Sequence, residues 1–170
     1  MNYKVIENLI DKEEFIKLQD IFHNSSYLPW YYNSKTTNDE NDNDFMFTHT
    51  IYLDDKIKSE IYDSCVNLFF SVSQQVEKSK LLRIKANLYT NQNKNIYHKV
   101  HVDIKELKDY KTAVFNFTTC NGGTILFLDD EEINIPSVEN SLIVFDGNIK
   151  HQGYTQTDTN TRVLLNFDFC

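Results

Sequence analysis

The sequence predicts a mainly β domain of the α+β class, in which a β-sandwich or small barrel carries helices on its outside. From Leu81 onward, short runs of β-branched and aromatic residues alternate with turn residues. Before Leu81, two segments show the three- and four-residue apolar spacing of amphipathic helices. A length of 170 residues is enough for one domain with a substantial core. We therefore expect a single domain over residues 1–170, with helical supports in 1–80 and the β core in 81–170.

The first helix is predicted within "NLIDKEEFIKLQDIFHN". Phe15, Leu18 and Phe22 fall on one helical face there, and Asp11 and Glu14 stand at the spacing of a capping box. The segment is therefore expected to pack its apolar face on the β core.

The second helix is predicted to span about residues 54–78. Its apolar positions form one stripe, namely Ile57, Ile61, Cys65, Leu68, Val72 and Val76. The preceding segment 33–44 is polar and has no period, so we predict a long loop and a candidate lid. Trp30, Tyr31 and Tyr32 beside it are expected either to wall a substrate site or to pack the N-terminal segment.

The β core is predicted to contain at least six short strands. They lie in "LLRIKANLYT", "TAVFNFTT", "GTILFLDD", "EINIPS", "SLIVFDG" and "TRVLLNFDF". No glycine-rich phosphate loop accompanies them, so the sequence gives no support to nucleotide-dependent chemistry.

Composition and charge limit the choice of partners. The net charge of -8 disfavours nucleic acid, because binding to phosphates depends on Lys and Arg. Cys65, Cys120 and Cys170 are odd in number and far apart, a pattern more typical of a reducing cytosol than of a disulfide scaffold. The N-terminus has no signal-peptide pattern, and no apolar run reaches membrane-spanning length. The sequence therefore predicts a soluble, cytoplasmic protein without a membrane partner, and it makes nucleic acid an unfavoured partner.

Two histidines and an aspartate stand close together in "YHKVHVD", residues 97–103. In an extended segment, side chains alternate between faces, so His101 and Asp103 are expected on one face and His98 on the other. A metal site would need a third ligand, and downstream the chain offers only His151. Two imidazoles and one carboxylate suit Fe(II) and leave coordination positions open for a co-substrate and dioxygen.

Arg162 follows His151 on the next predicted strand. An arginine inside a barrel needs an anionic partner, and a dicarboxylate co-substrate would supply one. Alternatively, Arg162 pairs with an acid such as Asp168, or faces solvent. Asn87 and Tyr89 share one face of the strand that precedes the histidines, where either could donate a hydrogen bond to the co-substrate or serve as an ordinary edge-strand residue.

These pieces occur in a specific order, comprising "RIKANLY", "HVD", "TAVFNFTTCNGGTILF", "IPSVENSLIVFDGNIKHQG" and "TRVLLNFDF". In this order and spacing the chain resembles the Fe(II)/2-oxoglutarate-dependent oxygenases. Within them it looks most like the prolyl 4-hydroxylase-like branch, including small single-domain members from bacteriophages. The N-terminal "VIENLIDKEEFIKLQDIF" and "LPWYY" are similar to the lead-in of the phage-type members.

The resemblance implies a double-stranded β-helix, or cupin-like jelly roll, with two N-terminal helices packed on the outside. It implies that His101, Asp103 and His151 bind Fe(II) and that Arg162 binds the distal carboxylate of 2-oxoglutarate. Dioxygen would be the second co-substrate, and ascorbate is a candidate accessory. Asn116 joins Asn87 and Tyr89 as a candidate co-substrate contact. A phage-encoded member would work in the host cytoplasm.

The presence of Asp103 implies a hydroxylase, because the related halogenases lack this carboxylate. A peptidyl proline or another protein or amino-acid group is the favoured substrate, and a nucleobase or other small molecule is the alternative. Two readings from other classes remain open. One is a jelly-roll binding module without turnover, which needs no inward-pointing Arg162. The other is a structural protein whose histidines are incidental.

Overall fold

Two antiparallel sheets and two helices make up the domain in a computed structural model, which describes residues 2–24, 26 and 28–170. Within these residues, the helices are α1 (Lys12–His23) and α2 (Tyr62–Ser73). The strands are β1 (Tyr3–Ile6), β2 (Tyr31–Asn33), β3 (Met46–Leu53), β4 (Lys56–Ile57), β5 (Leu81–Thr90), β6 (Lys111–Asn116), β7 (Cys120–Leu128), β8 (Glu131–Ser137), β9 (Ser141–Asp146), β10 (Lys150–Tyr154) and β11 (Thr161–Phe169).

The larger sheet has the order β1-β9-β6-β11-β5-β3-β2, with β4 paired to β3. The smaller sheet has the order β10-β7-β8. Residues 97–101 run along the free edge of β10, where Tyr97 pairs with Tyr154 and His101 pairs with His151. This edge pairing brings two distant histidines opposite each other.

The outer face of the larger sheet carries both helices. Phe15 of α1 meets Phe115 of β6 edge-on, with ring centroids 6.1 Å apart. Phe69 of α2 stacks on Phe167 of β11 at 6.0 Å. The first helix begins where the sequence predicts, because the Asp11 carboxylate accepts a hydrogen bond from the Glu13 amide at 2.8 Å.

The second helix is shorter than the predicted 54–78, since it spans only Tyr62–Ser73. Ile57 fits the helical stripe, yet it lies in β4 and pairs with Tyr52 of β3. Asp54 and Asp55 adopt positive φ angles of 54° and 53°, which turn the chain from β3 into β4 and are incompatible with an α-helix. A short hairpin therefore replaces the first turns of the predicted helix.

Residues 1–80 also contribute more than helical supports. They supply β1 to β4, and these strands extend the larger sheet at both edges. The loop predicted at 33–44 is irregular over 34–45, because Asn33 belongs to β2. It is tied by Asp42, whose carboxylate accepts hydrogen bonds from Thr36 and Thr37. No helix in the described part of the chain is long and apolar enough to cross a membrane.

The two faces of the larger sheet differ in chemistry because side chains alternate along each strand. On β11, Val163, Leu165 and Phe167 point to the helices and belong to the outer core. The alternate residues point between the sheets, and on β11 they are Arg162, Leu164, Asn166 and Asp168. A second apolar core occupies one part of the space between the sheets, and the rest is a cavity lined mainly by polar residues.

Candidate active site

A cavity of about 640 Å³ opens between the two sheets. Its lining includes His101, Asp103 and His151 together with Arg162. All four residues that the sequence singled out for a catalytic role are thus brought to one cavity from the edge segment, β10 and β11.

The two histidines and the aspartate form a group that could hold a metal ion. One nitrogen or oxygen atom from each of His101, Asp103 and His151 lies within 4.8 Å of the others. Backbone pairing sets this geometry, because the His101 and His151 amides each donate to the other's carbonyl at 2.9 Å. Asp103 follows two residues later and approaches His151, with Oδ2 3.5 Å from Nε2.

Backbone carbonyls fix the orientation of both imidazoles. His101 Nδ1 lies 2.9 Å from the Lys99 carbonyl oxygen, and His151 Nδ1 lies 3.2 Å from the Ile149 carbonyl oxygen. A carbonyl only accepts, so each Nδ1 carries the proton and each Nε2 keeps its lone pair for a ligand. This arrangement is common for metal-binding histidines.

Asp103 is held by two neighbours from the larger sheet. Arg83 Nη2 lies 2.6 Å from Oδ1, and Asn166 Nδ2 donates to Oδ2 at 3.3 Å. Arg83 is itself held by Asp168, with Nε 2.7 Å from Oδ2. Oδ2 is therefore the Asp103 oxygen that faces His151 and remains available to a metal.

The electrostatics of the group follow from this network. Burial acts to raise the pKa of Asp103, but Arg83 and His151 outweigh it and hold that pKa well below its usual range. Burial lowers the pKa of His101, and the neighbouring His151 adds to the effect. Burial opposes protonation of His151 as well, but the Asp103 carboxylate raises its pKa. An anionic oxygen thus stands beside two imidazoles, which is the donor set of a divalent cation.

Arg162 is fully buried, with none of its surface exposed. Its Nη1 donates to the Gly123 carbonyl at 2.9 Å, and its Nη2 donates to Thr124 Oγ1 at 3.3 Å. Nε has no hydrogen-bond partner, and Arg162 forms no ion pair with any described residue. Arg162 neither pairs with Asp168 nor faces solvent, which were the two alternatives. Asp168 pairs with Arg83 instead, and the Arg162 side chain is buried.

Asn87 and Tyr89 line the cavity as their alternation on β5 predicts. Tyr89 stands opposite Arg162 in the strand register, and the guanidinium carbon lies 5.8 Å from the centre of its ring. Asn87 is buried, and its Oδ1 has no partner among the described residues. Both side chains therefore lie on the cavity wall close to Arg162, where they could contact a ligand that Arg162 binds.

His98 differs from the sequence prediction. It was expected to point away from His101, yet it lines the same cavity, where it packs on Tyr89 with ring centroids 4.9 Å apart. Residues 97–103 do not form a regular strand, so strict alternation does not apply to them. His98 is absent from the ligand group, and burial with the nearby Arg162 lowers its pKa to about 4.

Asn116 is not brought to the cavity. Its side chain is fully buried at the end of β6, where Nδ2 donates to Ser141 Oγ and Oδ1 accepts from Ser137 Oγ. These bonds occupy the amide in joining β6 to its neighbours. Tyr31 and Tyr32 also lie outside the cavity lining, with 61% and 63% of their surfaces exposed.

Sequence reasoning missed Arg83 and Lys85, and it considered Asp168 only as a partner of Arg162. Arg83 and Lys85 share the alternation that places Asn87 and Tyr89 in the cavity, so the signal was present on the same strand. The pairing of Arg83 with Asp103 and Asp168 depends on the strand register, which the sequence does not reveal.

The residues present fit Fe(II) and 2-oxoglutarate. Two imidazole nitrogens and one carboxylate oxygen would leave coordination positions of a metal open for a co-substrate. The buried Arg162, which lacks an acidic partner, suits the far carboxylate of a dicarboxylate, and the unpartnered Asn87 Oδ1 and His98 Nε2 mark a polar wall nearby. A cavity with these groups can bind a metal and an organic anion together.

Solved structures that are similar to this chain include a member of the 2OG-Fe(II) oxygenase family, a prolyl hydroxylase and an epimerase. A member of that family from Burkholderia pseudomallei superposes with a TM-score of 0.78, 14% identity, and coverage of 99% of this chain and 84% of that one. A Pseudomonas putida prolyl-4-hydroxylase gives a TM-score of 0.68 at 14% identity, covering 99% and 91%. The epimerase SnoN, in complex with Fe3+, alpha ketoglutarate and nogalamycin RO, superposes with a TM-score of 0.68 at 11% identity. The match covers 99% of this chain and 78% of that one.

The chain therefore has the jelly-roll fold of these oxygenases, as the resemblance implied for its β core. No protein-family model and no curated protein matches the sequence. The bacteriophage-type origin stays a prediction.

Proposed function

We propose that this protein is an Fe(II)- and 2-oxoglutarate-dependent dioxygenase that hydroxylates a peptidyl proline or another protein or amino-acid group. One observation carries the proposal. A His-Asp-His ligand group lines the same cavity as a fully buried arginine that has no acidic partner among the described residues. Either feature alone has ordinary structural explanations, but together they match a metal and a dicarboxylate.

In this proposal, His101 Nε2, His151 Nε2 and Asp103 Oδ2 hold Fe(II). Arg162 binds the distal carboxylate of 2-oxoglutarate, since its free Nε and its two amino groups present a planar set of donors. Tyr89 borders that carboxylate from the opposite strand. The bound iron, with 2-oxoglutarate and dioxygen, supplies the oxidising chemistry, and the chain supplies orientation and exclusion of water.

The orientation comes from contacts within the chain. The carbonyls of Lys99 and Ile149 set the imidazole planes, and Arg83 binds Oδ1 of Asp103, so that Oδ2 faces His151. Arg162 is fixed by β7 carbonyl and hydroxyl groups. Such preorganised contacts are what a reactive site needs in order to direct the oxidant to one substrate bond.

The rival reading is a jelly-roll module that binds a ligand without turnover. That module would have no need of an arginine aimed into the cavity, and Arg162 lines the cavity together with His101. An epimerisation is a second candidate reaction, because the epimerase SnoN shares the fold. Hydroxylation is favoured here by the similar prolyl-4-hydroxylase, and the aspartate in the ligand group argues against halogenation.

The test combines binding with turnover. The protein is loaded with Fe(II) without oxygen, given 2-oxoglutarate with and without ascorbate, exposed to air, and assayed for succinate with proline-containing peptides present. His101→Ala should abolish both metal binding and succinate formation. His98→Ala is the matched control, because it removes a buried histidine of the same segment and should retain metal binding.

Arg162→Ala should retain the metal and lose 2-oxoglutarate, because only the anion contact is removed. Joint binding of Fe(II) and 2-oxoglutarate supports the proposal even when succinate is low, since full turnover can require the true substrate. A parent protein that binds neither Fe(II) nor 2-oxoglutarate would contradict the proposal and favour the binding-module reading.

A further inference from the structure

We propose that the substrate carries a carboxylate and that Lys85 binds it. This inference rests on the proposed function, because it concerns the substrate of the same site. The carboxylate could belong to a small acid or to an acidic residue of a peptide, and Lys85 would recognise the same chemistry in both.

Lys85 stands on the cavity wall at the level of the metal group. In the strand register it lies opposite Asn166 of β11, whose amide donates to the Asp103 carboxylate. Its neighbour on the other side is Thr50 of β3, which also lines the cavity. Tyr89, opposite Arg162, is four residues further along β5, or about 13 Å at the rise of a strand. Lys85 and Arg162 therefore serve opposite ends of the cavity.

The ammonium group of Lys85 has no counter-ion among the described residues. It forms neither a hydrogen bond nor an ion pair with any of them, although the side chain is half-buried. The two acids in its neighbourhood are Asp103 and Asp168, and Arg83 binds both of them. A cation removed from water without a partner is unfavourable, so an anion bound beside Lys85 would be stabilised.

The charges of the loaded site leave Lys85 unmatched. Arg83, Asp103 and Asp168 together carry one negative charge, which a divalent metal turns into one positive charge. The two negative charges of 2-oxoglutarate, offset by Arg162, bring that total to zero. Lys85 then remains as a single positive charge, and one carboxylate on the substrate would neutralise it.

Lys85 is more accessible to solvent than Arg162. Arg162 is fully buried, whereas Lys85 keeps part of its surface exposed. The lining contains five cationic residues and two acidic ones, in a chain whose net charge is -8. These are Lys35, Arg83, Lys85, Lys105 and Arg162, against Asp39 and Asp103. Such a concentration of positive charge at a concave site favours entry of anions.

The test measures binding to the oxygen-free protein loaded with Fe(II) and 2-oxoglutarate, so it does not depend on turnover. Two acid and amide pairs are titrated: N-acetylglycine with N-acetylglycinamide, and the peptides acetyl-Pro-Asp-amide with acetyl-Pro-Asn-amide. In at least one pair, the acid should bind about tenfold more tightly than its amide, as expected for a charge-assisted hydrogen bond. The pair that shows the larger preference identifies a small acid or a peptide as the source.

Lys85→Met should reduce the preference to within about twofold, because the side chain keeps its apolar length and loses its charge. Lys105→Met is the matched control, because Lys105 also lines the cavity but is exposed, and it should leave the preference intact. Equal binding of acid and amide in both pairs would overturn the inference. So would a Lys85→Met variant that loses affinity for 2-oxoglutarate while the preference persists, since Lys85 would then serve the co-substrate.

Failure of the proposed function is a separate result. A parent protein that binds no 2-oxoglutarate in the presence of Fe(II) contradicts the oxygenase proposal before any acid or amide is added. A parent protein that binds both, yet does not distinguish acid from amide, contradicts only the role of Lys85.

Discussion

Replacement of Arg83 by methionine should destabilise the protein strongly, even without a metal. Arg83 joins two buried carboxylates, with Nη2 2.6 Å from Asp103 Oδ1 and Nε 2.7 Å from Asp168 Oδ2. Methionine preserves much of the apolar stem but leaves both acids without their cation. Removing one partner of a buried pair is costly because the remaining charge stays in a medium that solvates it poorly.

The exposure of these groups sets the expected magnitude. The Asp168 side chain is 0% exposed and that of Asp103 is 7% exposed, so water reaches neither acid well, whereas Arg83 itself is 18% exposed. Because Arg83 has some contact with solvent, we expect the lower end of the usual range, about 3 kcal/mol. For a chain of this size, that loss corresponds to a fall in Tm of about 6–12 °C.

The assay is unfolding by urea and by heat at pH 7 in the presence of a chelator, which removes any contribution of bound metal. Lys111→Met is the matched control, because it also removes a cation from an ion pair at the same sheet. Its partner Asp146 is 37% exposed, so the loss should stay below about 1 kcal/mol. The double variant Arg83→Met/Asp168→Asn should be more stable than Arg83→Met alone, since one of the two stranded charges is gone.

Equal stability losses in Arg83→Met and Lys111→Met would refute the reasoning. The Arg83 pairs would then contribute no more than a surface ion pair, and Arg83 could not be credited with holding Asp103 in its present orientation.

Three further outcomes are expected. Gly147→Ala should lower the free energy of unfolding by about 1–3 kcal/mol in urea titrations, because a Cβ would lie 2.3 Å from the Tyr110 ring, whereas Gly153→Ala should change it little, since its nearest contact is 3.6 Å. Mn(II) at a hundredfold excess over its Kd should stabilise the parent by about 2.7 kcal/mol in thermal melts, and this gain should vanish in His151→Ala. Burial and Arg83 lower the pKa of Lys85 to about 8, so the preference for acids over amides in pH-dependent titrations should be present below that pH and decline above it.

The sequence was sufficient for the elements with strong local signals. Helix α1 carries its own cap and an apolar face, and β5 and β11 occur at the bounds that their β-rich runs predict. The second helix was predicted too long, because Ile57 satisfies a helical period and also pairs well in a strand. Periodicity cannot decide between the two when a neighbouring strand is available.

The candidate site shows the same division. The types and order of His101, Asp103, His151 and Arg162 pointed to a metal and a dicarboxylate, because few chemistries use that combination. Their gathering into one cavity agrees with that interpretation. Their roles as ligands and as co-substrate contact stay proposals.

Only the tertiary structure decided how the site is supported. His98 enters the cavity because residues 97–103 pair with β10 at just two points and do not alternate as a strand would. Arg83 meets Asp103 across 20 residues of chain, and Lys85 is left without a partner. Side-chain types are written in the sequence, but which charges neutralise one another depends on strand register and on the space between the sheets, and these arise only when the whole chain is packed.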